Sequence, residues 1–155
     1  MSGQERSGWR DEALSRRHRE WGFNCPAVDL DFLMVEYNAG LPVALVEYKL
    51  ADDGKGHRAP PYDLRHATPR AIAKLAEMAG LPFLLAYYWS ETWAFYLVAV
   101  NDAARKVYGE TMALSERRFV KSLYHLRSLK IQEQVLDKLS NVDLAADAVL
   151  PRITR

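Results

Sequence analysis

The chain has little cysteine and little net charge, and each shortage excludes a class of protein. Cys25 is the single cysteine, so neither an internal disulfide nor a cysteine-based zinc site can form within the chain. This indicates a reducing compartment, and we expect the cytoplasm. A net charge of +1 argues against a surface that attracts nucleic acid everywhere, although local basic patches remain compatible with it.

The chain also lacks an apolar leader and a clean membrane span. Residues 1–19 are polar and charged, without the apolar centre of a secretory signal, so we expect no export. Residues 83–100 are nearly long enough to cross a bilayer, but Ser90-Glu91-Thr92 interrupts them, and a glutamate inside a membrane is costly. We predict two buried strands joined by a turn there, and no membrane contact.

What is present is typical of a globular domain. Hydrophobic residues make up 49% of the chain and charged residues 26%, which is an ordinary composition for a soluble folded protein. The length of 155 residues is that of one domain with one core. We therefore predict a single domain over residues 1–155, with its core at about 9–100 and a C-terminal helical extension at about 101–150.

Apolar spacing and turn residues predict an alternation of helices and strands. Thr68 is a candidate N-cap followed by Pro69 at the first helical position, and Gly80 is a candidate helix stop. Asn101-Asp102 is a candidate cap for a short helix, and Ser115-Glu116 is a candidate start for another. The residues between 51 and 68 are rich in glycine, proline and charge, and we expect a long irregular loop there. The predicted order is a helix at 9–20, a hairpin at 28–49, a helix at 68–79, strands at 83–89 and 93–100, and helices at 101–107, 115–126 and 129–139.

The predicted hairpin carries charges inside apolar runs. Residues two apart project from the same face of a strand, so Asp29 lies with Asp31, and Glu47 lies with Lys49. A turn through Asn38-Ala39-Gly40 brings Asp31 opposite the segment from Glu47 to Lys49. The sequence therefore predicts a cluster of carboxylates and one ammonium, in which a cation or a proton would relieve repulsion between the carboxylates.

Hard divalent cations prefer oxygen ligands. Asp31, Glu47 and the backbone carbonyl of Tyr48 would supply part of an octahedral Mg²⁺ site, with Mn²⁺ as a substitute and water at the remaining positions. Lys49 would lie beside the metal-bound water. Such a site suits phosphodiester hydrolysis, because a metal ion activates water and neutralises charge on the phosphate. The alternative is an exposed sheet face on which these charges only form cross-strand pairs.

Asp31 followed by Glu47-Tyr48-Lys49 resembles the motif of the PD-(D/E)xK nuclease superfamily, which includes restriction endonucleases, Holliday-junction resolvases and phage nucleases. The resemblance covers roughly residues 9–100, where the predicted element order also matches. It implies a restriction-endonuclease-like α/β fold with a mixed sheet flanked by helices. It further implies catalytic roles for Asp31, Glu47 and Lys49, with Asp31, Glu47 and the Tyr48 carbonyl as metal ligands.

The sequence departs from the family pattern at one position and leaves others open. Leu30 stands where the proline of the family name would be, and the nearest proline is Pro26. The first helix of such nucleases often adds a ligand, for which Glu12, His18 and Glu20 are all candidates. Asp29 is a further candidate, either beside Asp31 or in its place.

The sequence therefore predicts a Mg²⁺-dependent deoxyribonuclease, selective for DNA structures such as junctions or recombination intermediates. DNA is the expected partner and a homodimer is a candidate assembly. The alternative is a non-catalytic nuclease-fold binding protein that acts in a phage or defence complex.

Two basic segments are candidates for contact with DNA phosphates. The first segment follows the hairpin and contains Lys55, His57, Arg58, Arg65, Arg70 and Lys74. The second segment lies in the predicted helices after residue 114 and contains Arg117, Arg118, Lys121, His125, Arg127 and Lys130. The second segment could instead pair with the acidic tail of a partner subunit, which contains Glu133, Asp137, Asp143 and Asp147.

Overall fold

A mixed five-stranded sheet forms the centre of the computed structural model, which describes residues 12–21, 28, 30–36 and 38–155. In spatial order its strands are β1 (Phe32–Glu36), β2 (Leu41–Asp52), β4 (Phe83–Trp89), β5 (Ala94–Ala99) and β6 (Thr111–Leu114). A separate parallel pair is formed by β3 (Tyr62–Asp63) and β7 (Ile153–Thr154). The helices are α1 (Glu12–Glu20), α2 (Ala67–Ala79), α3 (Asp102–Tyr108), α4 (Glu116–Leu126) and α5 (Glu133–Leu136). The predicted α/β class, a mixed sheet flanked by helices, is confirmed.

The connections explain why the sheet is mixed. β1 and β2 are antiparallel because the turn between them is tight, with Gly40 in the left-handed region at φ 65°. β2 and β4 are parallel because α2 carries the chain back across one face of the sheet. β4 and β5 form an antiparallel pair over the residues predicted as two buried strands. No helix among the described residues is long and apolar enough to cross a membrane.

The two faces of the sheet bury two different clusters. One cluster packs against α3 and α4, and it contains Val46, Leu84, Ala86, Phe95, Leu97, Ala99, Ala104, Tyr108, Leu114, Phe119 and Leu123. The other packs against α2 and β3, and it contains Leu45, Ala51, Tyr62, Ile72, Ala76, Phe83, Leu85, Tyr87, Val98 and Val100. The strict alternation of strand side chains assigns Leu45 and Val46 to opposite faces.

The helix predicted to be capped by Thr68 begins two residues earlier than expected, at Ala67. Its N-cap is His66, which makes no side-chain capping bond, so the prediction of Thr68 as the cap was wrong. The turn that starts at Asp63 sets this boundary, because the His66 N–H donates to the Asp63 carbonyl at 3.2 Å. Pro69 then falls within the first turn, where a missing N–H is tolerated. Gly80 ends α2 at φ 68°, as predicted.

The segment after β5 confirms two predictions and corrects one. Asn101 and Ser115 cap α3 and α4 through their side-chain oxygens. The helix predicted at 129–139 was wrong, since only Glu133–Leu136 is helical. Leu136 is the buried residue of that turn, and a single anchor gives too little packing to sustain a longer helix.

Three whole strands and the C-terminal end of a fourth were missed by the sequence reasoning. β2 extends to Asp52, and β3 forms inside the stretch expected to be irregular. β6 and β7 were also unpredicted. Each of these short strands depends on a partner distant in sequence, and β7 pairs with β3 across most of the chain. Local periodicity carries little signal for a strand of two residues.

Candidate functional site

Asp31 and Glu47 meet at the open end of the acidic hairpin. Phe32 pairs with Val46 in the antiparallel register, so the next position outward brings Asp31 opposite Glu47. Asp31 lies immediately before β1 and is exposed, while Glu47 lies within β2. Both line a small cavity of about 60 Å³, together with Thr68 and Ile72 of α2. The structure thus brings together the two carboxylates predicted to share a site.

Glu47 makes two close polar contacts, one with each carboxylate oxygen. Lys49 Nζ lies 2.6 Å from Oε1, and the Tyr62 hydroxyl donates to Oε2 at 2.5 Å. The Glu47 side chain is 15% exposed and that of Lys49 is 36% exposed, so this ion pair is half-buried. Lys49 Nζ also lies 5.9 Å from the centre of the Tyr62 ring. These contacts fix the orientation of Glu47 in the cluster.

The electrostatics of the cluster follow from burial and negative charge. Burial, followed by the hydrogen bond to Glu47, raises the pKa of Tyr62 well above its usual range, and the charge of Asp31 adds to this. Burial, with a further contribution from Glu47, raises the pKa of Tyr87 to about 12. Two carboxylates and one ammonium leave the cluster with excess negative charge, which favours a further cation.

Tyr87 adds an unsatisfied polar atom beside this cluster. It lies on β4, paired with Lys49 of β2, and its side chain is fully buried. Its hydroxyl has no hydrogen-bond partner among the residues that the structure describes. A buried hydroxyl without a partner loses free energy relative to one that is hydrogen-bonded. The face of the sheet that carries Glu47 and Lys49 therefore contains a buried hydroxyl that the described residues leave without a partner.

Tyr62 is the site residue that sequence reasoning missed. It lies in the stretch rich in glycine and proline, where no alternation indicates a strand. Its position is fixed instead by the parallel pair of β3 and β7, in which the Tyr62 N–H donates to the Arg152 carbonyl at 3.0 Å. The one signal in the sequence was an aromatic residue directly after Pro60-Pro61, which is weak.

Other predicted residues lie apart from the two carboxylates. The Tyr48 side chain lies on the opposite face, edge-on to Phe32 at 5.0 Å between ring centres, so only its backbone could contribute to the site. The lining of the cavity includes neither Glu12, His18 nor Glu20 of α1. Asp29, which was predicted as an alternative ligand, lies outside the described residues, as do Cys25 and Pro26.

The donor set suits a magnesium ion that keeps much of its water. The described residues contain no cluster of three or more histidine, cysteine, aspartate or glutamate side chains placed to hold a metal. Asp31 and Glu47 are two hard oxygen donors at one cavity, and Mg²⁺ in proteins is often bound by one or two carboxylates plus water and phosphate. The residues present therefore fit Mg²⁺ as a partly hydrated ion, and they do not form an all-protein cage.

The second basic segment pairs partly within the chain. Arg117 Nη2 lies 3.5 Å from Glu133 and 3.8 Å from Asp137, both of which belong to the acidic tail. This tail was expected as a partner in another subunit, but for Arg117 the pairing is intramolecular.

Comparison of the chain with protein-family models, curated proteins and solved structures finds no match.

Proposed function

We propose that this chain is a Mg²⁺-dependent nuclease that hydrolyses phosphodiester bonds of DNA, with a preference for branched structures. The observation that carries the proposal is the meeting of Asp31 and Glu47 at one cavity, with Lys49 Nζ 2.6 Å from Glu47. The order of these residues on a hairpin followed by a crossover helix supports the resemblance to PD-(D/E)xK nucleases. The site residues are Asp31, Glu47 and Lys49.

Each residue has a role that its position supports. Asp31 and Glu47 would hold the metal ion, and a bound Mg²⁺ supplies a more acidic water and neutralises charge on the phosphate. Lys49 places a positive charge at the same point, where it orients the attacking water and stabilises negative charge on the phosphate. Tyr62 holds the Glu47 carboxylate in position through its hydroxyl.

Recognition of a DNA structure, rather than of a base sequence, is part of the proposal. Phosphate contacts position a protein on nucleic acid without reading its sequence. The chain has basic residues beside the site and no recognised motif for reading bases in a groove. A substrate defined by its shape, such as a junction, suits this set of groups.

One observation favours a second candidate, DNA binding without cleavage. Both oxygens of Glu47 already have partners within the chain, Lys49 and Tyr62, so Glu47 is stabilised without a metal ion. A nuclease fold retained only for binding, in a phage or defence complex, would keep a cluster in which Glu47 is fully paired with Lys49 and Tyr62. Metal dependence separates the two candidates.

The test is cleavage of linear, circular, branched and single-stranded DNA, with Mg²⁺ or with EDTA. We expect cleavage in Mg²⁺ and none in EDTA. Asp31→Asn and Glu47→Gln should each reduce the rate by about 10²-fold or more, because each removes a carboxylate charge that would hold the metal ion. Lys49→Ala should reduce it to a similar degree, with a much smaller effect on DNA binding in EDTA.

Matched controls lie away from the cluster. Glu77→Gln changes an exposed carboxylate of α2, and Lys106→Ala an exposed lysine of α3. Both variants should cleave as the parent protein does. Cleavage that persists in EDTA, or that is unchanged in Glu47→Gln, would show that the proposed chemistry is wrong. Binding of DNA with neither cleavage nor a Mg²⁺-dependent rise in melting temperature would favour the second candidate.

A further inference from the structure

A second cavity, of about 280 Å³, opens at the far end of β2. Its lining combines two arginines with apolar side chains and contains no carboxylate: Ala51, Arg58, Ala59, Pro61, Val149, Leu150, Pro151 and Arg152. Neither the loop that carries Arg58 nor the C-terminal segment that carries Arg152 forms this cavity alone. The cavity therefore brings together two arginines from distant parts of the sequence.

Neither arginine has an acidic partner among the described residues, whereas three of the basic residues after the hairpin do. His57 lies 2.7 Å from Asp53, Arg65 lies 2.7 Å from Asp63, and Lys74 lies 3.0 Å from Glu77. Arg58 and Arg152 are exposed, and neither forms an ion pair with another described residue. Those three side chains are paired with carboxylates, whereas Arg58, like Lys55 and Arg70, forms no ion pair with a described residue and keeps its charge available to a ligand.

The cavity adjoins the candidate nuclease site on the same side of the sheet. Ala51 follows Lys49 by two residues and belongs to the same buried cluster as Leu45 and Tyr62, about 7 Å along the strand from Lys49. Pro61, also in the lining, directly precedes Tyr62, which contacts Glu47. A linear polyanion bound at Lys49 would therefore extend over this cavity.

Backbone hydrogen bonds hold both arginines in place. Arg58 pairs with Asp52 in an antiparallel bridge, and the Ala59 N–H donates to the Ala51 carbonyl at 3.3 Å. The Arg152 carbonyl accepts from the Tyr62 N–H at 3.0 Å. Because these contacts use main-chain atoms, each arginine side chain can be replaced without removing them.

We propose that Arg58 and Arg152 form a phosphate-binding subsite, which holds a backbone phosphate of the nucleic acid next to the one at the candidate nuclease site. A guanidinium presents a planar fork of donors that matches the oxygens of a phosphate, so two of them bind an anion more specifically than two lysines do. The nucleic-acid ligand follows from the proposed function, on which this inference rests. The apolar lining contacts the sugar of the same nucleotide.

The test is the affinity of the full chain for short labelled single-stranded and duplex DNA, measured by fluorescence anisotropy in EDTA across a salt series. Arg58→Ala and Arg152→Ala should each raise Kd by about tenfold, the effect of losing a charge-assisted hydrogen bond. The slope of log K against log salt should become shallower by about 0.7–0.9 for the phosphate released. Arg58→Lys should recover the salt slope but only part of the affinity, because lysine lacks the fork.

Lys106→Ala is the matched control, since Lys106 is an exposed cation of α3 on the opposite face of the sheet and belongs to neither basic segment. It should bind DNA as the parent chain does, and equal melting temperatures should show that all variants fold. If Arg58→Ala and Arg152→Ala bind as the parent chain does, the subsite is wrong.

Cleavage by the parent chain in Mg²⁺ separates this outcome from failure of the proposed function. Cleavage with unchanged binding in both arginine variants overturns the subsite alone. Binding that weakens in those variants, without cleavage by the parent chain, supports the subsite and overturns the nuclease. A parent chain that binds no nucleic acid overturns the subsite as proposed.

Discussion

The two faces of β2 have different compositions, although the residues alternate along one strand. On the face covered by α3 and α4, Val46 joins a cluster made only of buried apolar and aromatic groups. On the face covered by α2 and β3, the apolar positions Leu45 and Ala51 flank Glu47 and Lys49. The first face is closed by helices, whereas the second opens at two cavities.

This difference separates the part of the molecule that stabilises the fold from the part available for chemistry. Burying apolar surface gives roughly 25 cal/mol per Å², while a half-buried ion pair contributes little or nothing net. The face with Glu47 and Lys49 therefore holds charges at some cost to packing. That arrangement is typical of a functional site rather than of a core.

Two buried tyrosines show the same contrast at the level of single hydroxyl groups. Tyr108, on the closed face, lies with its hydroxyl 3.1 Å from Ser122 Oγ. Tyr87, on the face with the cluster, has no hydrogen-bond partner within the described part of the chain. The Tyr108 hydroxyl on the closed face therefore has a partner, whereas the Tyr87 hydroxyl on the open face has none among the described residues.

The largest expected effect lies on the closed face. Phe119 is 2% exposed and packs 4.3 Å from Phe95 between ring centres. Phe119→Ala should lower the free energy of unfolding by about 3–5 kcal/mol, through lost burial and the cavity left behind. Urea denaturation measures this, with Phe119→Leu as a milder control. If Phe119→Ala lowers the free energy of unfolding by less than Phe119→Leu does, the assignment of this face as the main source of stability is contradicted.

A smaller effect is expected for Tyr62, and it should appear in activity more than in stability. Tyr62→Phe removes the donor to Glu47 Oε2 and keeps the ring, so cleavage should fall about 10–100-fold, as for other groups that orient a metal ligand. Stability should change by only about 1 kcal/mol. Tyr108→Phe is the control and should cleave normally. Equal cleavage by the Tyr62 and Tyr108 variants would remove Tyr62 from the site.

The smallest effect compares the two buried tyrosines directly. Tyr108→Phe should cost about 1 kcal/mol because a hydrogen bond is lost, whereas Tyr87→Phe should leave stability unchanged or raise it slightly. The pKa of Tyr87 is raised to about 12, so the unfolded chain ionises first, near pH 10, and stability falls as pH rises between these values.

Tyr87→Phe should make this alkaline decline shallower by up to about 1.4 kcal/mol per pH unit. Thermal or urea unfolding between neutral pH and the alkaline range measures the slope. A decline as steep in Tyr87→Phe as in the parent chain would show that the hydroxyl is less buried than the structure indicates.

The sequence predicted those parts of the fold and site that local pattern determines. The approximate pairing of the hairpin was predictable, because the turn at Gly40 brings Asp31 opposite the segment from Glu47 to Lys49. The exact register was not, because an irregularity between Met34 and Val35 shifts it by one residue. The caps at Asn101 and Ser115 were predictable because short polar side chains satisfy the first N–H groups of a helix.

The parts that were missed depend on contacts between distant residues. Tyr62 enters the site through β3, whose only strand partner is β7 at the other end of the described chain. Arg152 reaches the second cavity by the same pairing. No local periodicity reports such a contact, because two residues are too few to show one. Sequence reasoning therefore found the residues on the hairpin and missed those that distant pairing adds to them.

The pairing of β3 with β7 has a consequence for dynamics. Two short strands joined through a very long closed loop have a high entropic cost and few hydrogen bonds, so they open at a lower free energy than the central sheet. Such local opening would release Tyr62 from Glu47 and separate Arg152 from Arg58 in one event, while β2 and β4 stay paired. Hydrogen exchange at the Tyr62 and Leu64 amides, which donate to β7 and the residue before it, then reports how often β3 and β7 separate in the native protein.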